Sequence, residues 1–289
     1  MAKTGTFLLW YDIRALLALT CLPAQTDNDG FVFSPWGLSE GASIVASTAS
    51  PVAPKIRAGV APLRAGEGYS FLLRRLHSIT GIVPIGLFLL EHFISNAEAF
   101  KGPDAYGAQV KFLNSLPFVI GLELFGIWIP ILYHGLYGVW IWWRGDSNVA
   151  DYPWTGNWLY TAQRWTGIIA LAFMAQHTYY LRFTGTVLGE HPELSFAKVQ
   201  HEFQNPWMIA FYAVGIIAAS WHFAYGLWLF AAKWGITTGE KARRRLGYVC
   251  LLLALGLVSI GAASMYGFLT TPRQPLNSSA SDNIVMRMR

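Results

Sequence analysis

The chain has 289 residues, 54% of them hydrophobic and only 13% charged, with 13 Trp and 13 Tyr, a balance that excludes an ordinary soluble domain and indicates a polytopic membrane protein. Its formal net charge of +5 is concentrated in a few short stretches between apolar segments. That distribution fits membrane orientation and argues against a nucleic-acid partner.

Residues 1–65 are rich in Ala, Ser, Pro and Gly, and their apolar run from Ala15 to Leu22 is too short to span a bilayer. Asp12 and Arg14 interrupt a signal-peptide pattern, and an exported N-terminus would contradict the charge distribution. This stretch is expected to be a disordered cytoplasmic extension of a membrane domain covering residues 66–270. The remainder, 271–289, carries Asn277, Ser278, Ser279 and Ser281 and is expected to be a flexible tail.

Within the membrane domain, segments near 76–96, 118–143, 163–182, 206–232 and 247–269 can each cross a hydrocarbon core of about 30 Å as a helix of about 20 residues. The expected fold is therefore all-α, an integral membrane bundle of five spans. Pro117 and Pro206 open the second and fourth spans, where a missing amide donor costs nothing, whereas Pro84 and Pro130 are interior and should kink their helices. Lys55, Arg57, Arg64, Arg74 and Arg75 before the first span, and Lys233, Lys241, Arg243, Arg244 and Arg245 between the fourth and fifth, belong on the cytoplasmic side. Glu190, Glu193 and Glu202, set against Arg182 and Lys198, suit the opposite face. The N-terminus is then cytoplasmic and the C-terminus outside.

His92, His134, His177 and His222 fall one apiece in the first four spans, and a coordinating residue at membrane depth is costly enough to imply a purpose. The first and third spans run outward; at ~1.5 Å per residue His92 lies about 25 Å beyond Arg75 and His177 about 20 Å beyond Arg164, both in the outer half. The second and fourth run inward, and His134 and His222 fall in the inner half. Depth thus pairs His92 with His177 on the outer side and His134 with His222 on the inner side.

Two axial imidazoles per iron suit electron-transfer haem, whereas zinc would gather four ligands together. Cys21 and Cys250 form neither a Cys-x-x-Cys pair nor a Cys-x-x-Cys-His attachment, so such haems are of the b type.

Gly138 and Gly226 follow their histidines by four residues, on the same helical face, where a flat macrocycle needs room; Gly81, 11 residues before His92, offers the same at the depth of the inner pair. Helix packing through small residues is the competing explanation for each. His77, beside Arg74 and Arg75 at the inner boundary, is a candidate hydrogen-bonding or propionate-contacting residue, with a merely interfacial role as the alternative. Glu123 lies about 20° in helical phase from His134 and faces the interior at the level of the outer pair, a candidate proton carrier. Glu91 points about 100° away from His92 and is expected to be a snorkelling or hydrogen-bonded carboxyl. His191 and His201, in the outer loop, suggest no role.

Several phrases resemble one family across about residues 69–270: Phe71-Leu-Leu-Arg-Arg-Leu-His-Ser, Leu87-Phe-Leu-Leu-Glu-His, Ser115-Leu-Pro-Phe, Leu132-Tyr-His-Gly-Leu-Tyr-Gly-Val, Gln163-Arg-Trp-Thr-Gly-Ile and Trp221-His-Phe-Ala-Tyr-Gly-Leu-Trp. The family is the di-haem cytochrome b558 membrane anchor of succinate dehydrogenase, related to the cytochrome b subunit of fumarate reductase. The resemblance implies a flavoprotein and an iron–sulfur subunit as partners on the cytoplasmic face of a prokaryotic inner membrane, two b haems, and reduction of a membrane quinone, menaquinone or ubiquinone. It implies the same ligand pairs at His92, His177, His134 and His222, and no succinate-oxidising site on this chain. The alternatives are the haem-b subunit of another respiratory complex, such as a fumarate reductase, hydrogenase or formate dehydrogenase, and a cofactor-free transporter with a histidine proton relay.

Overall fold

A computed structural model describes residues 65–184 and 194–275, and among the described residues the only regular structure is helical. The extension up to residue 64, the loop acids Glu190 and Glu193 with His191, and the tail from residue 276 lie outside the described residues. The chain divides into two compact units, residues 1–63 with 146–162, and residues 64–145 with 163–289. In the first, Asn157 donates to the Tyr152 carbonyl at 2.8 Å and Ser147 pairs with Thr161 at 3.0 Å.

The second unit begins with α1 (Ala65–Ile82) and α2 (Pro84–Ala97). Pro84 has no amide proton to continue the ladder, so the helix breaks at Val83, as the interior proline predicts, although Val83 still donates to the Ile79 carbonyl at 2.9 Å. A 3₁₀ turn, Glu98–Lys101, ends at Gly102, whose φ of 104° lets the chain turn into α3 (Pro103–Asn114), a helix the apolar pattern does not announce.

The second span is α4 (Val119–Glu123), a π-helical turn at Leu124–Trp128, and α5 (Ile129–Trp143). The kink expected at Pro130 takes this form: the wider π turn lies just before the proline, where its ring would otherwise press on the preceding carbonyls. Next come α6 (Thr155–Thr178), extended by a π turn at Tyr179–Phe183, and then α7 (Ser195–Glu202), α8 (Pro206–Lys233) and α9 (Glu240–Thr270). Asn205 caps α8, its side chain accepting from the Trp207 amide at 3.0 Å with Pro206 in the first turn. The basic run Lys241 to Arg245, expected in a loop, lies instead in the first turns of α9, where Arg244 pairs with Glu240 at 2.8 Å.

Among the described residues, four helical stretches are long and apolar enough to cross a membrane: Tyr69–Lys101, Val119–Trp143, Pro206–Lys233 and Glu240–Thr270. The α6 stretch is equally long, but Gln163, Arg164, Thr166, Gln176 and His177 dilute its apolarity, so it does not join them. Large apolar side chains such as Phe125, Leu136, Trp143 and Trp207 are exposed, as on a surface that lipid covers. Inside, Phe93, Phe223 and Leu257 join α2, α8 and α9. At one end, Tyr106, Phe196, Phe203, Tyr212 and Phe268 form a cap. Gln200 fastens it, donating to the carbonyls of Phe268 at 3.1 Å and Thr271 at 2.9 Å and accepting from the Gln274 amide at 2.9 Å.

Candidate cofactor site

His92, His134, His177 and His222 come together as two pairs. His134 on α5 faces His222 on α8 with ring centroids 6.1 Å apart and planes at 83°; His92 on α2 faces His177 on α6 at 5.6 Å and 84°. Imidazole nitrogens bind first-row metals at about 2 Å, so one ion held between two rings would set their centres about 6 Å apart. Both pairs are close to that spacing. Among the described residues no three His, Cys, Asp or Glu side chains gather as a metal-binding group.

Hydrogen bonds fix which nitrogen each ring offers. His134 Nδ1 lies 2.9 Å from the His77 carbonyl, and His222 Nδ1 lies 3.0 Å from the Gln163 carbonyl. A carbonyl oxygen only accepts, so Nδ1 carries the proton in both and Nε2 keeps its lone pair. His177 Nδ1 lies 3.2 Å from the Tyr212 hydroxyl, which donates its own proton to Glu202 Oε2 at 2.6 Å; the tyrosine oxygen therefore accepts from His177. In His92 it is Nε2 that has a neighbour, the Asn96 amide nitrogen at 3.3 Å; an amide N–H donates, so Asn96 takes up the Nε2 lone pair here. His134, His177 and His222 thus have Nδ1 tied down and the lone pair on Nε2, the arrangement usual for metal-ligating histidines, whereas His92 Nε2 is met by Asn96.

Backbone proximity shapes the His134–His222 pair. A Cβ on Gly81 would sit 2.5 Å from His134 Cε1, and one on Gly167 would sit 2.7 Å from His222 Cε1. Gly138 and Gly226 face different neighbours, the His77 Cε1 at 3.2 Å and the Gln163 Nε2 at 3.4 Å. His77 lies within the cluster itself: its ring stacks on His134 with centroids 4.0 Å apart and planes at 8°, and its buried Nδ1 has no protein partner. The hydroxyl of Tyr137 and the indole nitrogen of Trp221 are likewise buried without a protein partner. Such polar groups suit a bound molecule bearing acceptors.

At the capped end, Glu202 takes a second hydrogen bond, from Gln176 Nε2 at 2.6 Å. Burial raises its carboxyl above the usual range, while the bonds from Tyr212 and Gln176 and the nearby Lys198 pull it back. Lys198 is itself buried and donates to the carbonyls of Leu181 and Thr184; burial lowers its ammonium to about 8 against the pull of Glu202. Glu123 is not a lone acid: Arg182 Nη2 reaches its two oxygens at 2.7 and 2.8 Å, joining α4 to the end of the α6 stretch. Glu91 is a hydrogen-bonded carboxyl, accepting from Ser95, and His201 pairs with the Tyr180 hydroxyl at 3.1 Å.

The sequence pattern gives no site role to Gly167 and Gln163, which enter only within a phrase of the family resemblance, to Glu202, which enters only as a loop acid, or to Tyr212. Gly167 was the most accessible of these, since it precedes His177 by ten residues much as Gly81 precedes His92 by eleven. Tyr212 and Glu202 leave no such periodic trace.

The succinate dehydrogenase/fumarate reductase transmembrane-subunit family matches residues 149–261. The succinate dehydrogenase cytochrome b558 subunit of Bacillus subtilis is 37% identical over 198 residues, 68% of this chain and 96% of that protein. The succinate dehydrogenase hydrophobic membrane anchor subunit of Thermoplasma acidophilum is 29% identical over 92 residues, 32% of this chain and 70% of that protein. With its histidines paired in the helical bundle and this extent of shared sequence, the chain belongs to the transmembrane-subunit family of succinate dehydrogenase and fumarate reductase.

Proposed function

We propose that this chain is the cytochrome b membrane anchor of a succinate dehydrogenase, holding two b haems between an iron–sulfur subunit and a membrane quinone. The observation that carries this reading is the pairing of four half-buried histidines, three of which donate through Nδ1 and so carry their lone pair on Nε2. His92 and His177 would hold one haem and His134 and His222 the other, with α6 as the fifth span. When bound, the haems supply one-electron carriers at two depths of the bilayer.

The chain's own residues do the positioning. The carbonyls of His77 and Gln163 hold the His134 and His222 rings by their Nδ1 protons, and Gly81 and Gly167 let those rings lie against the backbones of α1 and α6. His77, Gly138 and Gly226 line the same region and would border the haem nearer Arg74 and Arg75. Glu123, with Arg182, would hand protons to the quinone.

On this reading the basic end faces the cytoplasm of a prokaryote, where the flavoprotein and iron–sulfur subunits dock, and α7 lies on the far side. Residues 1–65 form a separate extension and 271–289 a tail. A reduced-minus-oxidised absorption spectrum of the purified chain tests the proposal: two b-type components support it, and a chain free of haem overturns it.

A further inference from the structure

Three of the four histidines show what their Nδ1 proton rests on, and the partners differ in kind. His134 and His222 lean on neutral backbone carbonyls. His177 leans on a hydroxyl whose own proton is directed to a carboxylate. That acid comes from α7, outside the helix bearing the ligand, and its place is built: Tyr212 and Glu202 are 5% and 6% exposed, and Gln176 occupies the other carboxylate oxygen. Phe173 and Phe203 pack edge-on against the Tyr212 ring at 5.2 and 4.9 Å, so the hydroxyl has little freedom to turn away.

Building on the assignment of His177 as an iron ligand, we infer that Tyr212 and Glu202 form a relay that holds the His177 imidazole and biases its iron toward the ferric state. An imidazole that donates its Nδ1 proton into a chain ending on an anion gains electron density at Nε2 and becomes a stronger donor to the more highly charged oxidation state. Polarisation along consecutive hydrogen bonds is strengthened where water is scarce, as in this buried cap. Lys198, one turn before Glu202, is held by the carbonyls of Leu181 and Thr184, so it steadies α7 without taking a carboxylate oxygen from Tyr212 or Gln176. Neither residue touches the metal; both act through His177.

The test is a redox titration, followed by absorption, of the intact complex in membranes carrying Glu202→Gln or Tyr212→Phe. Both variants should keep two haems, and the component that His177→Ala removes should become easier to reduce by about three- to tenfold, tenfold being 59 mV for a one-electron couple. The component assigned to His134 and His222 should not move. The double variant should shift no further than Tyr212→Phe alone, since both act through one hydroxyl.

An unchanged titration in Tyr212→Phe, or an equal shift of both haems, overturns the relay while leaving the haem assignment intact. If Glu202→Gln loses its haem outright, Tyr212→Phe decides the matter, because it keeps the ring packing and removes only the oxygen. Retention of both haems in His177→Ala would instead sink the ligand assignment on which the relay depends.

Discussion

His134 rests its Nδ1 proton on the carbonyl of His77, and four residues further along the same helix Gly81 leaves room for the His134 ring. The device recurs between α6 and α8, where His222 uses the Gln163 carbonyl and Gly167 makes the room. The acceptor and the glycine are one helical turn apart in both cases, so α1 and α6 present the same surface to α5 and α8. The repeated phrase His-x-x-Tyr-Gly-x-Trp at His134 and His222 is the other half of this internal duplication.

From the pairing, His134→Ala and His222→Ala should abolish the same haem component, and His92→Ala and His177→Ala the other. On the proposed assignment each pair would hold one iron, and a single imidazole would not replace the missing ligand. Difference spectra of the four variants check this. Loss of one common component in His92→Ala and His134→Ala would show that the pairs have been drawn wrongly.

A side chain at Gly81 or Gly167 should be harmful in proportion to its contact with the ring. Gly81→Ala places a Cβ 2.5 Å from His134 Cε1, and the ring is tied at Nδ1 and cannot simply swing aside. Overpacking of this kind costs roughly 1–3 kcal/mol, and the expected result is loss of the His134–His222 haem with the other retained. Gly138→Ala and Gly226→Ala meet side-chain atoms only at 3.2 and 3.4 Å and should be milder. Haem content per mole of protein ranks the four; a Gly138→Ala effect as severe as Gly81→Ala would contradict this order.

Much of this arrangement was legible in the sequence because helical rise and depth depend only on spacing. His92 and His177 share a depth whatever the side chains between them, and the structure brings those rings, and those of His134 and His222, within 6.1 Å. The partners of the rings were not legible, since Glu202 reaches Tyr212 only through the placement of α7 against α8. Likewise Arg182 seemed a loop charge until the π turn at Tyr179–Phe183 carried its guanidinium to Glu123. The roles expected of Gly138 and Gly226 and of Gly81 follow from one helical-phase argument, yet of the three only Gly81 meets one of the four paired histidine rings, because the approach of the neighbouring helix decides which glycine is filled.

Residues 1–64 hold none of the four histidines, and the alignment to the Bacillus subtilis subunit covers 68% of the chain. A chain beginning at Ala65 should therefore insert in the membrane and bind both haems. Its expression alongside the full chain, with haem stained or measured optically, gives the comparison. Failure to insert, or loss of either component, would assign the extension a structural role.

The last prediction concerns Glu123, whose two oxygens lie 2.7 and 2.8 Å from Arg182 Nη2. Quinone reduction takes up two protons with two electrons, and a carboxyl can serve as relay when it alternates between holding a proton and releasing it. An arginine guanidinium only donates hydrogen bonds and cannot itself carry the proton, though it can orient the acid. A relay and a strut therefore respond differently to removal of the two partners. If the pair only braces the helices, Glu123→Gln and Arg182→Gln should weaken the complex similarly and leave quinone reduction in proportion to the intact protein that remains. If Glu123 is the relay, Glu123→Gln keeps both haems and succinate oxidation by an artificial acceptor at the flavin, yet loses quinone reduction by about 10²-fold or more, the scale on which a positioned acid acts. Arg182→Gln then retains far more of the quinone activity than Glu123→Gln. Normal quinone reduction in Glu123→Gln would leave the acid a packing residue held by its arginine.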